Sequence, residues 1–206
     1  MFTTDHLILR PYRESDINDI LNLTNDLAVE RGASDYPIIP HGPEHVEWIR
    51  DFQKKSLIYV IVTLKTTGEF MGYSCVWQPG ASKNRGGMFG IAILPQYWNK
   101  GYGTEVTKFM ADHAFRWLGL HRICLTVFES NPRAMAVYKK MYVVHDLSWA
   151  PRIIIHDLAL ASGFVMEGTQ RKANWVDGKW EDIYTMGVLE TEWTERYWGT
   201  KAGSDE

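Results

Sequence analysis

Cysteine and long apolar runs are both scarce in this sequence. Its 206 residues include only two cysteines, Cys75 and Cys124, each inside an apolar segment expected to form a strand. Such thiols are typical of small buried side chains rather than of a disulfide framework, and they fit a reducing compartment. The first residues are already charged, unlike a signal peptide, and no apolar run approaches membrane-spanning length. We therefore expect a soluble cytoplasmic protein without a membrane partner.

The sequence also lacks a large excess of either basic or acidic residues. The chain carries 22 Lys and Arg against 25 Asp and Glu, and no block of basic residues occurs. Nucleic acid is therefore not an expected partner. The seven histidines are scattered without metal-ligand spacing, and no Gly-x-Ser-x-Gly or Cys/His nucleophile motif is present. The sequence thus predicts no metal site and excludes serine hydrolase chemistry.

The segments that are present alternate between strand and helix patterns. At 45% hydrophobic residues the chain is long enough for one substantial core, which predicts one domain. The strand patterns are HLILR, LIYVIVTL, FMGYSCVW, MFGIAIL and RICLTVFE, followed by a hairpin in ANWVDGKWEDIYTMGVL. The helix patterns are RESDINDILNLTND, EHVEWIRDFQKK, TEVTKFMADHAFRWL, NPRAMAVYKK and ETEWTERYW.

Two glycines stand one residue apart between a predicted strand and a predicted helix. They are Gly101 and Gly103 of the segment YWNKGYGTEV, which follows the strand closed by Pro95. A helix N-terminus presents unpaired N–H groups and positive dipole ends, and glycine allows close approach of a bulky anion. Lys100 adds a cation and Thr104 a hydroxyl. The pattern fits a pyrophosphate site, although a tight turn alone also explains it.

The order of elements, the YWNKGYGTE loop and the later NPRAMAVY segment together resemble the GNAT superfamily of acyl-CoA N-acyltransferases. LILRPYRESD and GFVMEGTQRKANWVDGKWEDIYTMGVL are similar to the RimJ/RimL and spermidine acetyltransferase branch. The resemblance implies an α/β (α+β) fold. Its sheet would be central, mixed, mostly antiparallel and twisted, with six to seven strands, flanking helices and a splay between two parallel central strands. A single N-acetyltransferase domain would span residues 1–198, with a flexible tail at 199–206.

The resemblance also implies acetyl-CoA as cosubstrate and a set of residues that bind it. The pantetheine arm would pair with Ile91, Ala92, Ile93 and Leu94. The phosphates would be bound by Trp98, Asn99, Lys100, Gly101, Tyr102, Gly103 and Thr104. The second family motif would contribute Asn131, Ala134 and Tyr138.

Two of these residues, Asn131 and Tyr138, would also be catalytic. Asn131 would contact the pantetheine arm or an ordered water, and Tyr138 would protonate the departing thiolate. From the residues alone, Asn131 could equally be only a helix cap and Tyr138 a core aromatic residue.

The general base is left open by the sequence. Many members of this branch have a glutamate on the strand before the glycine loop, where this chain has Met88. Glu129, Glu30 and a chain of waters are the alternatives.

Residues 141–162 interrupt the resemblance. The family continues from the tyrosine directly into a Lys-x-Gly-Phe turn, but here 22 residues separate Lys140 from Gly163. The segment is either a true insertion, for instance one at a homodimer contact, or a translated intron.

The acceptor is expected to be a small primary amine, such as a polyamine or an amino acid. Polyamines would require an acidic cleft, and the early helices supply acidic residues for one: Glu14, Asp16, Asp19, Asp26, Glu30 and Asp35. The alternatives are a peptide N-terminus, as in RimJ/RimL enzymes, or a non-catalytic acyl-CoA sensor on the same fold.

Overall fold

A computed structural model describes residues 1–34, 36–79, 82–140 and 163–199. The strands in these ranges are β1 (Phe2–Thr3), β2 (Leu7–Arg10), β3 (Ile58–Leu64), β4 (Phe70–Trp77), β5 (Gly86–Ile93), β6 (Arg122–Phe128), β7 (Val165–Val176) and β8 (Lys179–Leu189). The α-helices are α1 (Ile17–Thr24), α2 (Leu27–Ala33), α3 (Pro43–Lys55), α4 (Tyr102–Arg116), α5 (Pro132–Lys140) and α6 (Glu190–Tyr197). The predicted segment 141–162 and nearly all of the predicted tail lie outside the described residues.

All of these strands belong to one sheet with the order β1-β2-β3-β4-β5-β6-β8-β7. The predicted mixed, mostly antiparallel sheet is confirmed. Within the described residues it contains eight strands, one more than the upper end of the predicted six to seven. The extra strand is the two-residue β1, whose Phe2 and Thr3 pair with Leu9 and Ile8. Two residues are too few to produce a recognisable alternation in the sequence.

The two central strands β5 and β6 run parallel and then separate, which confirms the predicted splay. They pair only from Gly86 with Arg122 to Met88 with Cys124. Beyond that point β5 continues its pairing with β4, and β6 continues its pairing with β8. The backbone edges that face each other across the gap are therefore free of strand partners within the described residues.

Helix α4 packs on one face of the sheet through the side on which its apolar residues recur at helical spacing. Val106, Met110 and Ala114 are fully buried, and Trp193 of α6 joins the same core. Trp117 continues the spacing in the sequence, yet 77% of it is exposed. The helix ends there, because Gly119 takes a positive φ of 61° and turns the chain toward β6. No helix among the described residues has both the length and the apolar character needed to cross a membrane.

Helices α1 and α3 cover the opposite face, where Ile20 and Ile49 pack on Ile61. Beside them, Arg10 donates two hydrogen bonds to the carboxylate of Asp16, at 2.8 and 2.7 Å. Asp16 is only 4% exposed. Its burial opposes ionisation, but the hydrogen bonds and the charge of Arg10 outweigh that effect and lower the pKa of Asp16.

We expect Asp16→Asn to lower the free energy of unfolding by about 3 kcal/mol near pH 7, because Arg10 loses its buried partner. Urea unfolding measures this change. The pKa of Asp16 is depressed in the folded state, so the stabilisation is present above the unfolded pKa of about 3.9 and is lost as pH falls through the folded pKa. The difference between variant and wild type should shrink in acid, and an equal difference at all pH values would contradict the assignment.

Candidate active site

A cavity of about 490 Å³ lies where β5 and β6 separate. Its walls come from α2, the β5 and β6 backbones, the glycine loop and α5. Eleven of the fourteen residues predicted to bind the cosubstrate line it: Ile91, Ala92, Ile93, Trp98, Asn99, Gly101, Gly103, Thr104, Asn131, Ala134 and Tyr138. The other three, Leu94, Lys100 and Tyr102, are not among its lining residues. The N–H of Leu94 donates to Met71 O at 2.8 Å, so it is not free for a ligand.

The glycine loop ends in an open helix N-terminus. Gly101 is the residue before α4 and takes a left-handed φ of 88°, which only glycine adopts readily. Asn99, two residues earlier, has a φ of 61°. Within the described part of the chain, the backbone N–H groups of residues 99–104 have no hydrogen-bond acceptor. Unpaired donors at the positive end of a fifteen-residue helix form a site suited to an anion.

Gly103 differs from Gly101 because the fold does not require a glycine there. Its φ is not in the left-handed range, and an added Cβ would meet nothing closer than Cγ2 of Val137, at 3.7 Å. An alanine would fit and would favour the helix. Since Gly103 lines the cavity, its missing side chain leaves the room in which a ligand can reach the backbone.

A cation at the cavity comes from a residue that the sequence analysis did not select. The guanidinium of Arg133 lies over the indole of Trp98, 3.9 Å from the ring centroid, and Arg133 lines the cavity. Trp98 is itself fixed by a 2.7 Å hydrogen bond from Nε1 to Ile93 O. Lys100, the predicted cation, lies 5.9 Å from the ring centroid of Tyr97 instead. The sequence did contain a signal for this residue. Arg133 directly follows Asn131-Pro132, which places it in the first turn of α5.

Asn131 joins two walls of the cavity. Its Oδ1 accepts a hydrogen bond from Ala134 N at 3.1 Å, which caps α5, and its Nδ2 donates to Gly32 O of α2 at 3.0 Å. The capping interpretation of Asn131 is therefore confirmed. The side chain also lines the cavity, so a further contact to a ligand remains geometrically open.

We expect Asn131→Ala to lower the free energy of unfolding by about 2 kcal/mol, from loss of the cap and of one further hydrogen bond. Asn131→Asp keeps an oxygen for Ala134 N but removes the donor to Gly32 O, so it should retain about half of this stabilisation. Urea unfolding of both variants measures the difference. If Asn131→Ala is as stable as wild type, the bridge between α2 and α5 does not contribute to folding.

Tyr138 is a buried ring at the inner side of the cavity. It is 6% exposed and packs against Phe89 and Phe164, with ring centroids 6.3 and 5.7 Å away. Burial raises the pKa of Tyr138 above its ordinary value of 10.0. The hydroxyl is therefore protonated at neutral pH and is able to donate a proton.

The structure distinguishes between the two carboxylates considered as a base. Glu129 is about half-exposed, accepts a hydrogen bond from Asp182 N at 3.0 Å, and does not line the cavity. Glu30 does not line the cavity either, but it is 7% exposed and lies on α2 next to Val29, which does. Burial raises the pKa of Glu30, with His41 opposing the shift. Met88, where the family often has glutamate, forms the last β5 pair with β6.

Comparison with known proteins gives a consistent result. A family model described as an acetyltransferase (GNAT) domain matches residues 6–142. The spermidine N(1)-acetyltransferase of Vibrio cholerae is 26% identical over 113 residues, which cover 55% of this chain and 53% of that protein. The match thus spans about half of that relative. The L-amino acid N-acetyltransferase of Escherichia coli is 25% identical over 149 residues, which cover 72% of this chain and 78% of that protein.

Solved structures share the fold. The Vibrio cholerae spermidine N-acetyltransferase, in complex with CoA and spermine, has a TM-score of 0.73 at 20% identity, covering 92% of this chain and 99% of that chain. A GNAT-family acetyltransferase from Bacillus anthracis has a TM-score of 0.66 at 20% identity, covering 92% and 98%.

Proposed function

The chain belongs to the acetyltransferase (GNAT) family, and on this premise we propose that it transfers an acetyl group from acetyl-CoA to the primary amine of a small molecule. One observation carries the proposal: residues selected from the glycine loop, from β5 and from α5 line a single cavity at the gap between the parallel strands. If the two glycines only formed a tight turn, residues of β5 and α5 would not need to line the same cavity.

The residues around the cavity fit the chemistry of acetyl-CoA. The unpaired N–H groups of residues 99–104 and the guanidinium of Arg133 would hold the phosphates, by hydrogen bonds and charge. The edge of β5 that faces the gap would pair with the amides of the pantetheine arm chiefly at Ile91, because the carbonyl of Ile93 already accepts the hydrogen bond from Trp98. When bound, acetyl-CoA supplies a thioester whose carbonyl carbon an amine attacks directly, without a covalent enzyme intermediate.

Tyr138 is proposed as the general acid. Its buried, protonated hydroxyl would donate to the sulfur of the departing thiolate, which improves the leaving group. Of the two carboxylates, Glu30 has the better support as the acceptor of the proton that the amine must lose. It is buried beside the cavity wall, whereas Glu129 is exposed and bonded to the β8 backbone.

A small amine has more support than a peptide N-terminus, because the relatives are named for action on spermidine and on L-amino acids. The test combines calorimetric titration with acetyl-CoA and a panel of polyamines, amino acids, arylalkylamines and short peptides, scored by thiol release. Thiol release that depends on one of the small amines supports the proposal. Absence of acetyl-CoA binding would overturn it, and binding without release for any amine would favour the sensor alternative.

A further inference from the structure

Among the described residues, the acidic side chains of the early helices are not gathered in an acidic cleft. Glu14 accepts hydrogen bonds from Arg50 and Tyr12, and Asp16 is paired with Arg10. Asp26 caps α2 by accepting from the N–H groups of Ala28 and Val29. Asp19 is exposed on α1, and Asp35 lies outside the described residues. Three of the charges expected to attract a polycation are therefore already committed to local partners.

Glu30 is the exception, because it is buried with only a weak partner. Its Oε1 lies 3.8 Å from His41 Nε2, which is too far for a hydrogen bond. Within the described residues its carboxylate accepts no closer bond. A buried carboxylate without a close cation is costly, so the site favours binding of one ammonium group.

A continuous row of aromatic rings begins at His41, beside Glu30. It consists of His41, His45, Trp48, Phe52 and Trp77, and we call it the aromatic row. Successive ring centroids are 4.0, 4.9, 5.0 and 5.4 Å apart. Three members lie on α3 at spacings of three and four residues, which places them on one helix face. Within the described part of the chain, Nε2 of His45 is buried without a hydrogen-bond partner.

One end of this row contacts β5, and the other end lies beside Glu30 of α2, a helix that packs on the same strand. The indole of Trp77 covers Gly90, where an added Cβ would lie 3.0 Å from Cζ3 of the ring. At the other end, α2 packs through Val29 on Ala92, in a cluster that includes Tyr73. The aromatic row and Glu30 thus border the segment of β5 that leads into the cavity.

Another carboxylate near the row is that of Glu44, in the first turn of α3. It is fully exposed, and it accepts the N–H of Gly42 at 3.0 Å. A second ammonium over the rings would find cation–π contacts, which contribute about 0.5–1 kcal/mol at exposed sites, and the exposed carboxylate of Glu44, whose attraction water screens. An apolar or aromatic group in the same place gains by burial and by ring stacking.

We infer that the acceptor is a monocationic amine with an apolar or aromatic body, rather than a polyamine. Its ammonium group binds Glu30, and its body lies along the aromatic row. This inference rests on the proposed function and names the substrate class for it. The amine would lie with its nitrogen next to β5, on the side where α2 meets the cavity.

The first test compares 2-phenylethylamine with spermidine as acceptors for the wild-type protein and acetyl-CoA. We expect kcat/KM for 2-phenylethylamine to be at least about tenfold higher, which corresponds to about 1.4 kcal/mol. Equal or better use of spermidine would overturn the inference but leave the proposed acetyl transfer intact. The proposed function fails instead if acetyl-CoA does not bind.

The second test uses Glu30→Gln, which keeps the shape and removes the charge. We expect KM for 2-phenylethylamine to rise by about tenfold or more, because one charge-assisted contact is lost, with acetyl-CoA affinity unchanged in calorimetry. Asp19→Asn is the matched control, since it removes a carboxylate from the exposed face of α1. An equal effect of both variants on KM would show that general charge, and not Glu30, attracts the amine.

Phe52→Leu tests the aromatic row separately. It should raise KM for 2-phenylethylamine several-fold more than KM for a short alkylamine such as ethylamine, because the lost ring contact is with the body of the substrate. Circular dichroism and thermal unfolding verify that the variant is folded. If KM rises equally for both amines, the aromatic row does not contact the acceptor.

Discussion

We expect Tyr138→Phe to lower kcat by about a hundredfold while leaving the affinity for acetyl-CoA nearly unchanged. The substitution removes only the hydroxyl, which is the proposed proton donor to the thiolate. The ring still packs against Phe89 and Phe164, so the cavity keeps its shape. Stability should change little, because the ring keeps these packing contacts. An assay of thiol release measures kcat, calorimetric titration measures the affinity for acetyl-CoA, and thermal unfolding measures stability.

The control for this substitution is Tyr12→Phe. The hydroxyl of Tyr12 donates to Glu14 at the surface, 2.9 Å away, and Tyr12 does not line the cavity. We expect its kcat to match wild type. Wild-type kcat in Tyr138→Phe would remove the assigned role, whereas a large loss of acetyl-CoA affinity would make Tyr138 a binding residue rather than an acid.

The second large effect is expected from Gly103→Ala. The added methyl group fits the fold, since its nearest neighbour is Cγ2 of Val137 at 3.7 Å. It would, however, occupy the space in which the phosphates approach the α4 N-terminus. We expect the Kd for acetyl-CoA to rise by about a hundredfold, the equivalent of one or two lost charge-assisted hydrogen bonds. The helix itself should gain up to about 1 kcal/mol, because alanine is a better helix former than glycine.

Opposite changes in binding and stability make this test specific. Gly168→Ala serves as the control, because Gly168 lies on β7 and a Cβ there meets nothing within 4 Å. It should leave the Kd unchanged. A Gly103→Ala protein that is stable and binds acetyl-CoA as wild type does would show that binding does not require the missing side chain at Gly103, and the phosphate site would have to lie elsewhere.

Local elements were predictable where short-range chemistry determines them. The strand pattern FMGYSCVW corresponds to β4 from Phe70 to Trp77, and α3 begins at Pro43, one residue before the predicted EHVEWIRDFQKK pattern. The Asp177-Gly178 turn has φ values of 52° and 76°, as a two-residue hairpin loop requires. Asn131 caps α5 as its position before Pro132 indicated. In each case the decisive contacts lie within a few residues of each other.

Other parts of the site depended on residues far apart in the chain. Lys100 is adjacent to the glycines in sequence, yet Arg133 is the cation that lines the cavity. Trp77 and Phe52 meet across 25 positions, so no spacing rule indicates the aromatic row. The choice between Glu30 and Glu129 as the proposed base likewise required their burial and their partners, which the sequence around the two glutamates does not reveal.

The sequence by itself determined the family, the order of elements and the glycine loop at the start of α4, because backbone conformation and helix capping depend on neighbouring residues. Only the tertiary structure decided which charges remain available to a ligand. Glu14 is paired with Arg50, which is 36 positions away in the sequence. The partner found for Glu30 is His41, whose Nε2 lies 3.8 Å from the carboxylate. Ion pairing and burial depend on distances in space, and the chemistry of the acceptor side follows from them.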